Sequence, residues 1–596
     1  MIKDNTEAKI FLYIVIFIFF LLLARLFQLQ IIEAGRYSKL AEKNASRINR
    51  VYAPRGIIYD RYGKPIVSNK ASFTAYLDIT KLKNKSINVY KLSNILQIPE
   101  SKINEILKSK TLKNFDMPKI KEGLILEEVT QIEEQSYNFP GVVIRAKPVR
   151  NYAYNKSASH LIGYIGEISK DDLDRLEKKG YKVGDLLGKM GIEKAYDTYL
   201  RGIDGEEGVE VDAFGRPGRN TEVQEPVPGN DVKLTLDIEL QNAAENALGD
   251  KRGAVVVLNP NNGEVLAMAS HPTFDPDMFA GPLEHGKWNS LDMSGKPFLN
   301  RAISAFDGGS IFKVVVLTSV LEQHVFSPDA VFHCPGFFQF GRRIARCWKA
   351  AGHGTLTLME GLVWSCDVVF YQVGIKEGVD TMCDYARQFG LGQKTGIDIP
   401  QESGGNVPSD EWLEKVYKRK WFPGDALNLA IGQGYLQVTP LQMANVYAQI
   451  ANGKKRYIPY VVKEITSRHG DVLYFRDPKP VADVNISPEN LALIRKALFD
   501  VVDRATGRRA KIEGFHASGK TGTAENPHGG AHAWFLCYAP SDNPEIVIAA
   551  FVEHGLHGDQ SAAGIARDVL TWYRDNRYLK ANPNIPNPIP QLPKSQ

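Results

Sequence analysis

Gly308-Gly309-Ser310-Ile311-Phe312-Lys313, running into Val314-Val315-Val316-Leu317 and on to Val320-Leu321, is the stretch that decides how this chain is read. Two glycines followed by an apolar run describe a buried helix with a serine in its first turn. Positions i and i+3 of a helix share a face one turn apart, so the Lys313 amine can sit beside the Ser310 hydroxyl. A serine hydroxyl is a poor nucleophile until a neighbouring base takes its proton, and a lysine at this spacing can be that base. The helix N-terminus adds a field that favours developing negative charge. No other Ser-x-x-Lys occurs in the 596 residues.

One tetrapeptide is weak evidence in so long a chain, and two further motifs follow it in order. Ser365-Cys366-Asp367 lies downstream, and Lys520-Thr521-Gly522-Thr523 lies near the C-terminus. Ser-x-x-Lys, then Ser-x-Asn or Ser-x-Asp, then Lys-Thr-Gly is the ordered signature of serine acyl-enzymes that react with penicillin. A second Lys-Thr-Gly stands at Lys394-Thr395-Gly396, bracketed by Gly392 and Pro400, and reads as a loop. The copy at Lys520 precedes the apolar run Trp534 to Ala539, a turn at Pro540-Ser541-Asp542-Asn543-Pro544 and another apolar run from Ile546 to Val552, a hairpin pattern. The chemistry needs this motif on a strand edging a cleft, which selects Lys520.

At this length two to four domains are expected. The hydrophobic content of 43% is that of a globular protein, and a net charge of +5 is too small for this size to argue for nucleic acid binding. Ile10 to Ala24 is uninterruptedly apolar, and apolar residues continue past Arg25 to Ile32. Residues 10–32 meet the ~20 residues that a bilayer span takes. No small-x-small cleavage site follows, so an uncleaved anchor is favoured over a signal peptide. Lysines and arginines flank both sides, and the positive-inside count does not fix orientation.

The expected organisation is α+β and multidomain. Residues 1–9 form a cytoplasmic tail and 10–32 a single transmembrane helix. Residues 33–230 form a β-rich pedestal of the dimerisation type, with a Lys- and Glu-rich inserted head at about 81–139. A linker at Glu225-Pro226-Val227-Pro228-Gly229 leads to a catalytic domain over 231–577, and the Pro- and Asn-rich end, 578–596, is expected to be disordered. Gly253 to Leu258 and Val265 to Ala269 flank Asn259-Pro260-Asn261-Asn262-Gly263, another hairpin signal.

Cys334, Cys347, His353 and Cys366 fall between the first and second motifs. Three thiolates and an imidazole make a Cys3His set, a standard tetrahedral zinc composition. The spacing lacks a short Cys-x-x-Cys, and a disulfide or ordinary buried cysteines remain alternatives. Cys383 and Cys537 read as core. His516, His528, His532, His554 and His557 read as rim residues around the last motif, with a second metal site as the alternative. Arg55, Asp60 and Arg61 read as structural ion-pair formers.

With these residues quoted, the chain resembles the class B penicillin-binding proteins, and among them the penicillin-binding protein 2 group that serves wall elongation. The resemblance covers nearly the whole length, including the apolar N-terminal segment, Arg55-Gly56-Ile57-Ile58-Tyr59-Asp60-Arg61, Gly432-Gln433-Gly434-Tyr435 and Thr439-Pro440-Leu441-Gln442. It implies a serine β-lactamase-like catalytic domain, with an antiparallel sheet flanked by helices. The implied activity is a peptidoglycan D,D-transpeptidase acting on stem peptides that end in D-Ala-D-Ala, and inhibited by β-lactams. A division transpeptidase and a D,D-carboxypeptidase or β-lactamase-like hydrolase are the alternatives. The implied location is the bacterial inner membrane, single-pass, with the bulk in the periplasm. The implied partners are a membrane glycan polymerase of the RodA type and an elongation scaffold such as MreC.

The resemblance also implies roles. Ser310 is the acylated nucleophile and Lys313 its base, discharged by repulsion from Lys520. Ser365 relays a proton to the leaving amine. Asp367, where many relatives have Asn, hydrogen-bonds Lys313 and the substrate amide. Lys520, Thr521, Gly522 and Thr523 make the carboxylate-binding strand, and the backbone amides of Ser310 and Thr523 form the oxyanion hole. The resemblance favours structural Zn2+ at Cys334, Cys347, His353 and Cys366. Phe306-Asp307-Gly308-Gly309 stands where the family has a proline turn, and predicts a looser approach to Ser310.

Overall fold

Five apolar strands build the sheet on which the site rests: Gly253–Leu258 (β1), Val265–His271 (β2), Ser518–Ala524 (β3), His532–Ala539 (β4) and Ile546–Val552 (β5). They are antiparallel in the order β2-β1-β5-β4-β3. Successive side chains point to opposite faces. Val256, Leu258, Trp534, Leu536 and Phe551 enter one core, and Val255, Val257, Phe535, Cys537 and Ile548 enter the other. The helices Ile238–Leu248 (α1), Lys313–Glu322 (α2), Asp367–Glu377 (α3), Pro440–Asn452 (α4), Pro488–Arg504 (α5) and Ala562–Tyr573 (α6) accompany this sheet. Helices α1 and α6 cover the second face, while α2, α3 and α4 contribute to the first core. Burial on both sides is why these strands read as continuous apolar runs instead of alternating ones. Both expected hairpins form, β1 with β2 and β4 with β5, and β3 is left as an edge strand.

This computed structural model describes residues 6–35, 46–78, 82, 86–108, 117–211, 217–279, 293–527 and 529–583. They divide into two compact units that do not follow chain order. One comprises Met1–Arg55, Asn69–Val149 and Arg201–Gly229; the other comprises Gly56–Ser68, Arg150–Leu200 and Asn230–Gln596.

In the first unit, Lys9–Ile32 is a helical segment of mean hydropathy 2.8, long and apolar enough to cross a membrane. Strands Ser46–Val51, Gly205–Val211 and Pro217–Gln224 form a three-stranded antiparallel sheet. The segment read as an inserted head has its own small core of Leu92, Leu96, Ile103, Ile120, Ile132 and Phe139; residues 81, 83–85 and 109–116 of it lie outside the described residues.

The second unit departs from a single cut at 230/231, and hydrogen bonding is the reason. Asp231–Leu234 pairs in parallel with Ile58–Tyr59 and antiparallel with Val462–Thr466, so one sheet joins segments that are far apart in sequence. Arg150 and Glu193 form a fully buried ion pair at 2.6 Å, and Arg150 Nη1 donates to the Gly56 carbonyl at 2.7 Å. Gly56 is required there, since a Cβ would lie 1.8 Å from Asn230 O. Arg61 pairs with Glu264 at 3.3 Å, as an ion-pair role predicts. Asp60 does not act that way: its Oδ1 accepts the Tyr62 and Lys64 amides and shapes a turn. The C-terminal boundary expected at 577 falls inside a helical segment that continues through Arg574–Tyr578 and Leu579–Ala581. Residues 584–596 of the expected disordered end lie outside the described residues.

Candidate active site

Gly309–Phe312 is a 3-10 turn that feeds directly into α2 at Lys313. Three residues per turn put Ser310 and Lys313 on the same side. The turn is clamped from three directions. Gly309 N–H donates to Gly432 O at 2.8 Å, Tyr447 OH to Ile311 O at 3.1 Å, and Trp534 Nε1 to Asp307 O at 3.0 Å. Phe306–Asp307 also pairs with Gln437–Val438. The looser approach predicted from Phe306-Asp307-Gly308-Gly309 is therefore corrected: cross-chain hydrogen bonds replace the stiffness of a proline. Close approach demands the glycines. Gly309 has φ +64°, with Thr523 O only 2.5 Å from a would-be Cβ, and Gly432 has φ +73°, with Gly309 O at 2.1 Å. Gly522 lies flush on Ile311, whose Cγ2 would be 2.8 Å from a Cβ. The edge strand β3 thus abuts the turn that carries Ser310. Asp307 carries a carboxyl pushed up by burial.

Behind that turn the three motifs meet. Lys313 Nζ is fully buried and lies 2.7 Å from Asp367 Oδ1, 2.9 Å from Ser365 O and 3.5 Å from Ser365 Oγ. Lys520 Nζ, also fully buried, donates to Ser365 Oγ at 2.8 Å and to Thr521 O at 2.9 Å. The Ser365 hydroxyl is therefore shared between two amines. Its backbone sits at φ +56°, a left-handed conformation uncommon for a non-glycine residue and of the kind that clusters at functional sites. Asp367 opens α3, where the helix field favours a carboxylate. Both of its oxygens are used, since Oδ2 accepts the Trp348 amide at 2.9 Å.

Burial, then the charge of Lys313, hold Lys520 well below the ordinary lysine range, against the opposing pull of Asp367. No hydrogen bond joins Ser310 Oγ to Lys313 Nζ among the described residues. Thr521 Oγ1 lies 2.9 Å from Thr506 Oγ1, and Thr523 is exposed at the end of the strand.

Cys334, Cys347, His353 and Cys366 converge, with ligand atoms all within 4.8 Å of one another. His353 Nδ1 lies 3.6 Å from both the Cys334 and the Cys347 sulfur. A tetrahedral zinc with Zn–S near 2.3 Å has ligand–ligand edges of about 3.8 Å, so these residues fit the ion with small adjustment. No disulfide joins any of the five cysteines. Cys347 and Cys366 share a proton: the hydrogen bond from Cys366 draws the Cys347 thiol far down, and the same bond, then burial, push Cys366 up. Cys347 sulfur also accepts the Lys349 and Asp367 amides, as a thiolate does. The cluster sits directly against Ser365-Cys366-Asp367.

The remaining candidates are dispersed. Lys394-Thr395-Gly396 is a loop whose Thr395 and Gly396 amides are held by the Glu402 carboxylate at 2.7 and 3.1 Å. His532 and His554 face each other at 5.3 Å, and His516 lies against Phe499; His528 lies outside the described residues. Cys383 and Cys537 are buried in the cores. Sequence reasoning missed Thr506, Tyr447 and the clamping role of Trp534. Gly432-Gln433-Gly434-Tyr435, quoted above for the resemblance, signalled part of the clamp.

Two family models match the chain: the penicillin binding protein transpeptidase domain over residues 253–571 and the penicillin-binding protein dimerisation domain over 50–234. The peptidoglycan D,D-transpeptidase MrdA of Acinetobacter baumannii is 33% identical over 595 residues, covering 96% of this chain and 88% of the relative. Among solved structures, penicillin-binding protein PBP2 of Helicobacter pylori in complex with MreC is 28% identical, with a TM-score of 0.76, covering 90% of this chain and 100% of that one. A chain from a peptidoglycan synthase complex that coordinates polymerization and crosslinking is 29% identical, with a TM-score of 0.73, covering 96% and 99%.

Proposed function

We propose, since this chain belongs to the penicillin-binding-protein transpeptidases, that it is a peptidoglycan D,D-transpeptidase of wall elongation working through a Ser310 acyl-enzyme. The observation that carries the reading is the shared Ser365 hydroxyl: motifs at 313, 365 and 520 meet on one oxygen, behind a clamped serine turn. Ser310 Oγ attacks the penultimate D-Ala carbonyl of a stem pentapeptide, the amide bond breaks, and D-Ala leaves as an amine. The Ser310 proton passes to Lys313 and through the Ser365 hydroxyl toward the leaving nitrogen. An amine of a neighbouring stem then attacks the ester, forms the cross-link and frees Ser310. The Ser310 and Thr523 amides receive the oxyanion, a stabilisation that is often the largest single term in acyl transfer. Thr521 and Thr523 bind the terminal carboxylate of the donor, and β-lactams occupy the same place.

A specific observation favours a second route for the first proton. Lys520 is the depressed amine, and it already touches Ser365 Oγ. A neutral Lys520 draws the Ser365 proton, and Ser365 in turn draws on the Lys313 side of the network.

The Cys3His cluster holds Zn2+ through Cys334, Cys347, His353 and Cys366, and with all four positions filled by protein the ion supplies structure, not a Lewis acid. It braces the turn that presents Ser365 and Asp367. The helix Lys9–Ile32 anchors the chain in the inner membrane with its bulk in the periplasm. The resemblance to a PBP2 solved with MreC and to a synthase-complex chain supports a scaffold of that kind and a membrane glycan polymerase as partners.

Labelling with a fluorescent penicillin tests the reading. The wild type is expected to form a stable covalent adduct and Ser310→Ala none. A stable adduct on Ser310→Ala ends the assignment.

A further inference from the structure

The segment between Asp329 and Glu360 contains no acidic residue and four cations, Arg342, Arg343, Arg346 and Lys349. It folds as an antiparallel hairpin, Phe337–Phe340 with Arg343–Arg346. One face is turned into the protein, with Ala345 buried and Phe338 against Tyr371 of α3. The other face, Phe337, Gln339, Ile344 and Arg346, is exposed, and Arg342 at the tip and Lys349 after the hairpin are exposed as well. Among the described residues, the side chains of Arg342, Arg346 and Lys349 make no hydrogen bond or ion pair. Arg343 reaches only neutral oxygens, Asn428 Oδ1 at 2.8 Å and Gly424 O at 3.4 Å. Arg419 in this unit, by contrast, is matched by Asp425. Among the described residues, no carboxylate pairs with a cation of this hairpin.

Its foot is fastened to the catalytic residues. The Trp348 amide donates to Asp367 Oδ2, Tyr371 OH donates to Arg346 O at 3.0 Å, and Arg343 holds Asn428, whose carbonyl accepts the Gln433 amide beside the Gly432 that clamps the Ser310 turn. The uncompensated charge therefore stands at the wall of the cleft. Exposed apolar and aromatic side chains accompany it: Phe337, Ile344 and Trp348.

We propose that this hairpin is a docking surface for the peptidoglycan strand, binding the carboxylates of its stem peptides. The proposal rests on the transpeptidase reading for the identity of the strand and on charge complementarity for the site. Every uncross-linked stem ends in a free carboxylate, so a strand presents repeated anions. Arg342, Arg346 and Lys349 pair with them while Phe337 and Ile344 cover the apolar methyls of the stem. The surface raises the local concentration of substrate at Ser310 and takes no part in the acyl transfer.

The test uses the full chain acylated with penicillin, so that the donor pocket is closed, and a disaccharide-pentapeptide with free carboxylates as probe. The expected result is saturable binding that weakens with salt. Arg342→Glu combined with Arg346→Glu is expected to weaken it by about tenfold, the sum of two modest exposed ion pairs. The pair Arg342→Lys and Arg346→Lys is expected to retain most of it. Penicillin acylation of each variant, unchanged within about twofold, reports an intact fold and cleft; if the Glu pair fails that control, Arg342→Gln with Arg346→Gln replaces it. Equal affinity of wild type and variant, equal affinity for a carboxamide version of the probe, no binding by the blocked wild type, or a charge effect seen only on vesicles of anionic lipid overturns the proposal. If penicillin fails to acylate the wild type, the transpeptidase reading fails separately, and the hairpin is then judged on the carboxylate-against-carboxamide difference alone.

Discussion

Asp367→Asn is the substitution whose outcome depends most directly on this geometry. The motif is also known with Asn in the third place, so the motif alone predicts a silent change. Here both Asp367 oxygens accept, Oδ1 from Lys313 Nζ at 2.7 Å and Oδ2 from the Trp348 amide at 2.9 Å. An asparagine has one acceptor oxygen, and its NH2 must face either the Lys313 ammonium or the Trp348 N–H. One buried donor then loses its partner, which costs about 1–3 kcal/mol. Asp367→Ala removes both acceptors and leaves the buried Lys313 with only the Ser365 oxygens, in the range of about 3–5 kcal/mol for a broken buried pair. If the Asn penalty is expressed in the placement of Lys313 and Ser365 and not in global stability, the same energy appears as roughly 5- to 150-fold slower acylation. The assay is stopped-flow acylation by a fluorescent penicillin, with thermal unfolding of the same preparations. Asp367→Asn with both unchanged would refute the two-acceptor reading, and Asp367→Ala milder than Asp367→Asn would refute the buried-pair reading.

Three further outcomes follow from the same site. Lys520 is held well below the ordinary lysine range and acts as the neutral amine, so the acylation rate is expected to rise with pH along a limb well below 10.5; a rising limb at the ordinary lysine value removes Lys520 from the proton path. The linkage has a fixed sign: because the folded amine is depressed, the unfolded chain binds more protons in the window between the depressed value and 10.5, and stability rises with pH across it. Gly432→Ala places a Cβ 2.1 Å from Gly309 O at φ +73°, displacing the serine turn, and is expected to slow acylation by about 100-fold; a rate within a few fold of wild type shows that the clamp is dispensable. Metal analysis of purified protein is expected to find one zinc per chain, lost with a fall in Tm in Cys347→Ser; absence of zinc together with a Cys334–Cys347 disulfide overturns the metal centre.

What the sequence made legible was local. Ser310 and Lys313 lie three apart, the Trp534 and Ile546 runs flank a turn, and Lys520 is placed on a strand by the hairpin that follows it. Each of these is fixed by periodicity within a dozen residues, which hydrophobic patterning reports well. The position of Gly56 to Ser68 in the same compact unit as the catalytic sheet was not legible. It depends on backbone pairing of Ile58–Tyr59 with Asp231–Leu234, and a two-residue pairing leaves almost no side-chain signature. The clamp on the serine turn was hidden for the same reason: Gly432 O, Trp534 Nε1 and Tyr447 OH act on backbone atoms more than 100 positions away.

The site itself was half legible, and the missing half is electrostatic. The motif residues could be named from spacing, but which amine loses its proton depends on what surrounds each one. Lys313 has a carboxylate at 2.7 Å, while Lys520 has only the Ser365 hydroxyl and the Thr521 carbonyl within hydrogen-bond distance. Burial, then the charge of Lys313, hold Lys520 well below the ordinary lysine range, against the pull of Asp367. Asp367 holds Lys313 at 2.7 Å and is itself held by the Trp348 amide, one residue from Cys347. Asp367 is thus the point where the Cys/His cluster and the proton path meet. Loss of zinc is then expected to slow acylation in wild type and to add little in Asp367→Asn, because both changes act through the same orientation of one carboxylate. A double-mutant cycle between Cys347→Ser and Asp367→Asn reads this directly: additive losses separate the metal centre from catalysis, and strongly sub-additive losses join them.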